Sequence, residues 1–164
     1  MPIRPAIAAD IPAIMALEKR SATAAHYSEE QYRRIIEQGL KFAAAWRPQS
    51  SGEKEGQARL SLVIEEDSQV KGFLIGRVLG TEWEIENVVI AEEARKQGFG
   101  RAVVDAFLQM ARQRGGSAVY LEVRESNAAA RRLYERCQFA ETGRRRKYYR
   151  DPDEDAVLYA LPLA

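Results

Sequence analysis

The sequence predicts an α/β (α+β) fold in which a mixed, mostly antiparallel central sheet is flanked by about four helices. Three observations lead there. Strand-like runs follow one another at 59–66, 72–79 and 83–90, four stretches repeat apolar residues at helical spacing, and the second half of the chain alternates helix and strand. The full order is helix, helix, three strands, helix, strand, helix and two strands. A chain of 164 residues has the length of one domain, so residues 1–164 are read as a single domain.

Asp10 can cap a first helix in which Ile11, Ile14, Met15 and Leu17 form an apolar stripe and Pro12 fits the first turn. Ser28 is placed to cap a second helix, from Glu29 through Tyr32, Ile35 and Ile36 as far as Ala45. Arg47 to Ala58 (RPQSSGEKEGQA) is polar and rich in breakers, and reads as an exposed loop. The runs RLSLVIEE, GFLIGRVL and WEIENVVI are separated by short polar or Gly-containing turns, which makes them an antiparallel meander. From Phe99 the apolar positions Val103, Ala106, Phe107 and Met110 mark a third helix, stopped by Gly115-Gly116. Ala118 to Val123 is a strand, and Ala128 to Cys137 is a fourth helix behind Ser126-Asn127. Two last strands near 144–149 and 156–163 are joined by RDPDED.

Composition removes several classes of function. Lys and Arg number 25 against 24 Asp and Glu, so the net charge is +1 and no bulk field draws the chain to nucleic acid or acidic membrane. Apolar types at 46% and charged types at 30% suit a globular core rather than disorder. Cys137 is the only cysteine and His26 the only histidine, which leaves no intrachain disulfide and no Cys/His cluster for a metal. The first residues lack a signal-peptide pattern and no run of 18 apolar residues occurs, so a cytoplasmic protein without a membrane span is expected.

The strand-helix-strand-helix centre is where a ligand is expected. Arg95-Lys96-Gln97-Gly98-Phe99-Gly100-Arg101 is a basic, Gly-interrupted loop between a strand and a helix start. Glycines let backbone N–H groups close on phosphate oxygens, and the helix dipole adds positive potential. The loop lacks the Gly-Lys-Ser/Thr ending of a P-loop, and Val103 stands where a dinucleotide fingerprint has its third small residue. A Gly-assisted turn with solvated cations is the plainer alternative.

Glu122 lies within an otherwise apolar strand, where a carboxylate is costly unless paired or used. A pair with Arg124 or a cross-strand cation is the structural alternative. Asn127, Arg131 and Tyr134 share a helix face, although Asn127 could only cap and Tyr134 could only pack. Glu84 and Glu86 share a strand face, as bases or as solvated residues. The run Arg144-Arg145-Arg146-Lys147 with Tyr148-Tyr149 could bind RNA, but Asp151, Asp153, Glu154 and Asp155 follow closely and favour a solvated strand. Cys137 has only Arg136 beside it, which favours packing over nucleophilic chemistry.

Taken together, Arg95-x-x-Gly98-x-Gly100 after a strand, a later strand ending in Ser126-Asn127, and Leu133-Tyr134-Glu135 on the next helix resemble the GNAT superfamily of acyl-CoA N-acyltransferases. LEVRESNAAA at 121–130, Arg132-Leu133-Tyr134-Glu135, Tyr148-Tyr149 and Glu154-Asp155-Ala156 narrow the resemblance to the RimI-type N-terminal acetyltransferases, which act on the N-terminal alanine of a small-subunit ribosomal protein. The likeness is close from about Asn87 to Leu163. It implies the GNAT fold, a sheet splayed to admit pantetheine, with acetyl-CoA as cosubstrate and no metal. Val88, Val89 and Ile90 would bind pantetheine through their backbone, Lys96, Gln97, Gly98, Phe99, Gly100 and Arg101 would hold the pyrophosphate, and Asn127 would support the cofactor. By the same resemblance Glu122 is the general base and Tyr134 the general acid. The acceptor would be a protein or peptide N-terminus, with no direct nucleic-acid or membrane partner.

Four departures stand out. Ala25-His26-Tyr27-Ser28 replaces a usual Pro-Trp-Ser, the loop 47–58 looks inserted, Glu92 replaces a common Pro, and Gln138 replaces a common Gly. The first two fall where the acceptor groove should be shaped. Glu84 matches the position at which other GNAT branches keep their base, so a lysine side chain or a small-molecule amine is the alternative acceptor. A noncatalytic CoA-binding module is a third reading, opposed by the presence of both Glu122 and Tyr134.

Overall fold

A computed structural model describes residues 2–21, 26–45 and 57–163. They contain one seven-stranded sheet: β1 (Ile3–Pro5), β2 (Ala58–Glu66), β3 (Gln69–Leu79), β4 (Glu82–Ile90), β5 (Ala118–Arg124), β6 (Ala140–Tyr149) and β7 (Glu154–Pro162). Spatial order is β1-β2-β3-β4-β5-β7-β6. The β4–β5 pair is parallel and the other pairs are antiparallel, as the predicted mixed sheet requires. Four helices flank it: α1 (Ile11–Arg20), α2 (Glu29–Ala45), α3 (Phe99–Gln113) and α4 (Ala128–Arg136).

Alternation along the strands sorts the apolar residues onto two faces. Leu60, Leu62, Leu74, Val78, Trp83, Ile85 and Leu121 meet Val103, Val104, Phe107, Leu108 and Ala111 of α3 and Tyr134 of α4. Val63, Phe73, Ile75 and Val89 meet Ile11 and Ile14 of α1 and Tyr32, Ile35 and Ile36 of α2 on the other face. Each such side chain contributes roughly 1.5–3 kcal/mol on full burial, so the two layers fix which helix lies on which side. On the α1/α2 face, β5 presents Tyr120, Glu122 and Arg124, and Tyr120 is 42% exposed.

Several expectations are refined. β1 has no counterpart in the sequence reading, because the three residues Ile3–Pro5 carry too short a pattern, and only pairing with Leu62–Ile64 makes them a strand. Asp10 precedes α1 but its side chain does not cap it; the carboxylate accepts from Arg4 and from the Ile7 N–H instead. Ser28 and Gln31 form the expected cap reciprocally, each backbone N–H donating to the other's side chain. Gly115 has φ +74° and the Gly116 N–H donates to the Ala111 carbonyl, ending α3 as predicted. α4 stops at Arg136, with Cys137 as its C-cap. β6 begins at Ala140, four residues before the expected start, in a polar stretch that only its edge position tolerates. Of the loop expected at 47–58, residues 47–56 lie outside the described residues and Ala58 opens β2. Among the described residues no helix is long and apolar enough to cross a membrane.

Candidate active site

β4 and β5 pair only from Glu82↔Ala118 to Ile85↔Leu121, yet β4 continues to Ile90 and β5 to Arg124. Each strand keeps its other partner to the end, β3 as far as Ile90↔Gly72 past a bulge at Glu86 and β7 as far as Arg124↔Ala156. The two strands therefore part in mid-sheet. Val88, Val89 and Ile90 all lie past the last pair, where alternate residues turn N–H and C=O away from β3 into the gap. The Val89 side chain is buried on the α1/α2 side, so only its backbone is available there.

The basic loop leads from the end of β4 into α3. Gly98 is the N-cap residue at φ +86°, with no side-chain cap, and the Ala102 N–H makes the first helical bond to its carbonyl. The N–H groups of Phe99, Gly100 and Arg101 thus lack helical acceptors and suit an anion. A Cβ on Gly100 would stand 3.2 Å from Leu133 Cδ2, so the absent side chain lets α3 start against α4. The loop residues do not contribute alike. Gln97 Nε2 donates to the Glu93 carbonyl, Arg95 Nε donates to the Ile90 carbonyl, and the Phe99 ring is buried against Ile64, Ala91 and Ala94. For Gln97 and Phe99 the side chain braces the loop, which leaves the backbone as the part of each that could meet an anion. Arg101 pairs with Asp105 along the exposed side of α3, and Lys96 is exposed at φ +60°.

Asn127 is the N-cap of α4, its Oδ1 accepting from the Ala130 N–H at 3.2 Å. The capping alternative is realised, and it uses Oδ1 rather than Nδ2. Arg131, expected on the same face, bonds the Tyr159 hydroxyl at 3.0 Å and the Glu125 carbonyl at 3.2 Å, tying α4 to the sheet.

Glu122 is the first residue of β5 past the last β4 pair. Its side chain remains a quarter exposed and meets Arg145 Nη2 at 3.3 Å, so the cross-strand pair exists. The alternative pair with Arg124 does not, because Arg124 joins Glu154 at 3.3 Å. Tyr134 lies under the opposite face, 7% exposed, with its ring against Phe139 and Tyr159. Burial pushes its hydroxyl well above the ordinary tyrosine range, which keeps the proton on at neutral pH.

Tyr149 links the two electrostatically, since Glu122 perturbs its hydroxyl and it perturbs that of Tyr134. Burial and the Glu122 charge push the Tyr149 hydroxyl up to about 12. Tyr148 touches Tyr149 edge-on and is itself raised by the charge of Glu122 and a hydrogen bond to it. Sequence reasoning missed this placement; the adjacent tyrosines carried no period that pointed at Glu122. It also missed Glu18, a buried carboxylate that accepts from the Tyr27 N–H and lies 3.5 Å from His26 Nδ1.

Glu84 stands in register with Tyr120 of β5. Burial first, then the charges of Glu86 and Glu122, raise its carboxyl above the ordinary range. Glu86 shares Arg59 at 3.3 Å and Arg77 at 3.6 Å, and Tyr27 senses both carboxylates. Of the sequence region 25–28 expected to shape an acceptor groove, Tyr27 lies under the Arg59 guanidinium, whose carbon is 5.9 Å from its ring centroid, while Ala25 lies outside the described residues. In the basic run, Arg144 is engaged by Glu125 and Glu141 and Arg145 by Glu122, which reduces the charge left for RNA. Cys137 is buried and its thiol is pushed up to about 11 by burial, as a packing residue's should be.

A sheet parted beside an uncapped, glycine-started helix, with a carboxylate on one side and a protonated phenol on the other, is the architecture of an acyl-CoA-dependent transferase. The profile of the Acetyltransferase (GNAT) family matches residues 12–139, and the chain belongs to that family. It is 31% identical over 153 residues to the [Ribosomal protein bS18]-alanine N-acetyltransferase of Escherichia coli (strain K12), which covers 92% of this chain and 97% of that protein. The crystal structure of the ribosomal-protein-S18-alanine N-acetyltransferase from Escherichia coli superposes with a TM-score of 0.77 at 30% identity, over 99% of this chain and 94% of that one. The structure of yncA from Salmonella typhimurium with its cofactor acetyl-CoA shares the fold, with a TM-score of 0.78 at 20% identity over 100% of this chain and 94% of that one.

Proposed function

We propose that this chain transfers acetyl from acetyl-CoA to the α-amine of a protein N-terminus, with the N-terminal alanine of ribosomal protein bS18 as the first acceptor to test. The observation that carries the reading is the position of Glu122, at the point where β4 and β5 part, with Tyr134 buried under the other face of the sheet. Likeness to the bS18-alanine acetyltransferases over 92% of the chain supports the acceptor. Such an acceptor puts the reaction in the cytoplasm.

Backbone groups of Val88, Val89 and Ile90 hold pantetheine in the gap. The loop from Lys96 to Arg101 holds the pyrophosphate through the free N–H groups of the α3 start, and Asn127 Nδ2 supports the cosubstrate from α4. An α-amine has a pKa of about 8, so roughly a tenth is already neutral at pH 7 and modest help suffices. Glu122, directly or through water, takes the ammonium proton. The neutral amine attacks the thioester carbonyl, whose oxygen is polarised by a β4 N–H near Val88. The C–N bond forms, the C–S bond breaks, and the Tyr134 hydroxyl protonates the departing thiolate.

The test is release of CoA thiol from acetyl-CoA with a peptide beginning in free alanine, against its N-terminally blocked twin carrying an internal lysine. Release with the free terminus only is the expected result. The second reading, acetylation of a lysine side chain or small amine, rests on Glu84, whose carboxyl is raised by burial on the same face. Release with the blocked twin, abolished by Glu84→Gln, would establish that reading instead.

A further inference from the structure

Arg124 ends β5 two residues beyond Glu122 and shares its face, yet the chemistry above does not use it. Both of its terminal nitrogens are engaged. Nη2 donates to the Arg150 carbonyl at 3.2 Å, Nη1 donates to the Pro152 carbonyl at 3.4 Å and meets Glu154 Oε1 at 3.3 Å, and the guanidinium carbon lies 4.5 Å from the Tyr149 ring centroid. All four partners belong to the β6–β7 turn or its flanks. The second Glu154 oxygen accepts from the Ser126 N–H at 2.8 Å, just ahead of the Asn127 cap. One side chain thus ties the segment carrying Tyr148 and Tyr149 to the strand carrying Glu122 and, through Glu154, to the start of α4.

We propose that Arg124 is a positioning residue for the acceptor, holding Tyr148 and Tyr149 beside Glu122 so that the groove for the amine-bearing peptide is formed before binding. The inference rests on the N-terminal acetyltransferase reading for its choice of peptide. The geometry calls for arginine: a planar fork reaches two carbonyls and a carboxylate while stacking on a ring, and a lysine ammonium cannot do all of these at once. Without the clamp the turn must be ordered when the acceptor binds, which weakens acceptor binding and leaves the chemical step alone.

The experiment compares wild type with Arg124→Lys and Arg124→Gln, measuring by calorimetry the Kd of the free-alanine peptide for CoA-saturated enzyme, the Kd of acetyl-CoA, and kcat. Both variants are expected to weaken the peptide about tenfold, with the acetyl-CoA Kd within about twofold and kcat within about threefold. Peptide affinity unchanged within about twofold would overturn the proposal, as would full rescue by lysine or parallel loss of acetyl-CoA binding, which marks a merely structural role. If the glutamine variant does not fold, the lysine variant decides alone. Should wild type bind and acetylate only the lysine-bearing twin, the N-terminal reading fails, and the Arg124 effect is then read on that peptide.

Discussion

Arg145 reaches from β6 across β7 to place Nη2 3.3 Å from Glu122 Oε1. An acceptor ammonium approaching Glu122 therefore meets a carboxylate already sharing its charge with a half-exposed guanidinium. The pair keeps Glu122 satisfied in the absence of acceptor, at a modest cost because Arg145 can swing into water.

Replacing the carboxylate without changing its shape isolates the base. Glu122→Gln is expected to lower kcat by more than tenfold, toward the 10²–10⁴ range typical of a general base, with little change in the KM for acetyl-CoA. Its residual rate should climb as pH passes about 8, where the acceptor amine deprotonates unaided. A loss below tenfold would remove Glu122 from the base role.

Tyr134→Phe deletes one oxygen and keeps the ring against Phe139 and Tyr159. Turnover should fall at least about tenfold while acetyl-CoA binding holds. The raised hydroxyl also has a stability consequence. Above the unfolded pKa of about 10 the unfolded chain sheds this proton and the folded chain keeps it, so the group's contribution is full below that pH and is lost as pH rises toward the folded value. Urea midpoints measured between about pH 9 and 11 should fall less steeply in the variant.

Gly98 occupies φ +86°, and a Cβ there would touch nothing within 4 Å. Gly98→Ala therefore tests backbone conformation alone, at a cost of about 1–2 kcal/mol if the left-handed geometry is kept. The expected signature is a raised KM for acetyl-CoA with the acceptor KM unchanged. An unaltered acetyl-CoA KM would show that this loop does not hold the pyrophosphate.

Far from the site, Arg4 donates to both Asp10 oxygens at 2.7 and 2.9 Å, and the Ile7 N–H adds a third bond at 2.8 Å. The Arg4 guanidinium holds the Asp10 carboxyl below its ordinary range. That contribution is present above the unfolded value of about 3.9 and is lost as pH falls through the folded one. Asp10→Asn should cost about 1–3 kcal/mol at pH 7 by chemical denaturation, a difference that narrows below about pH 3.

Most elements were legible in the sequence because their causes are local. Ser28 caps α2 through Gln31 three residues away, Gly115 ends α3 through its own φ, and the basic, Gly-interrupted loop runs continuously from Arg95 to Arg101. β1 and the first half of β6 were not legible, since a three-residue segment and a polar one become strands only by pairing at a sheet edge. Asp10 misled for a related reason: its nearest helix start was in sequence, but its stronger partner, Arg4, was reached through the β1 turn.

The sequence by itself determined the fold class, the family, the candidate phosphate loop and the candidacy of Glu122 and Tyr134, because periodicity, caps and glycine positions act within a few residues along the chain. Tertiary structure decided the rest. It parted β4 from β5 one residue before Glu122, brought Tyr149 within the field of the carboxylate and under the Arg124 guanidinium, and left Arg124 bonded to a turn about 26 residues away. These relationships depend on which strand lies beside which. Strand pairing is settled by the burial of two apolar faces at once, a condition that no single stretch of sequence contains.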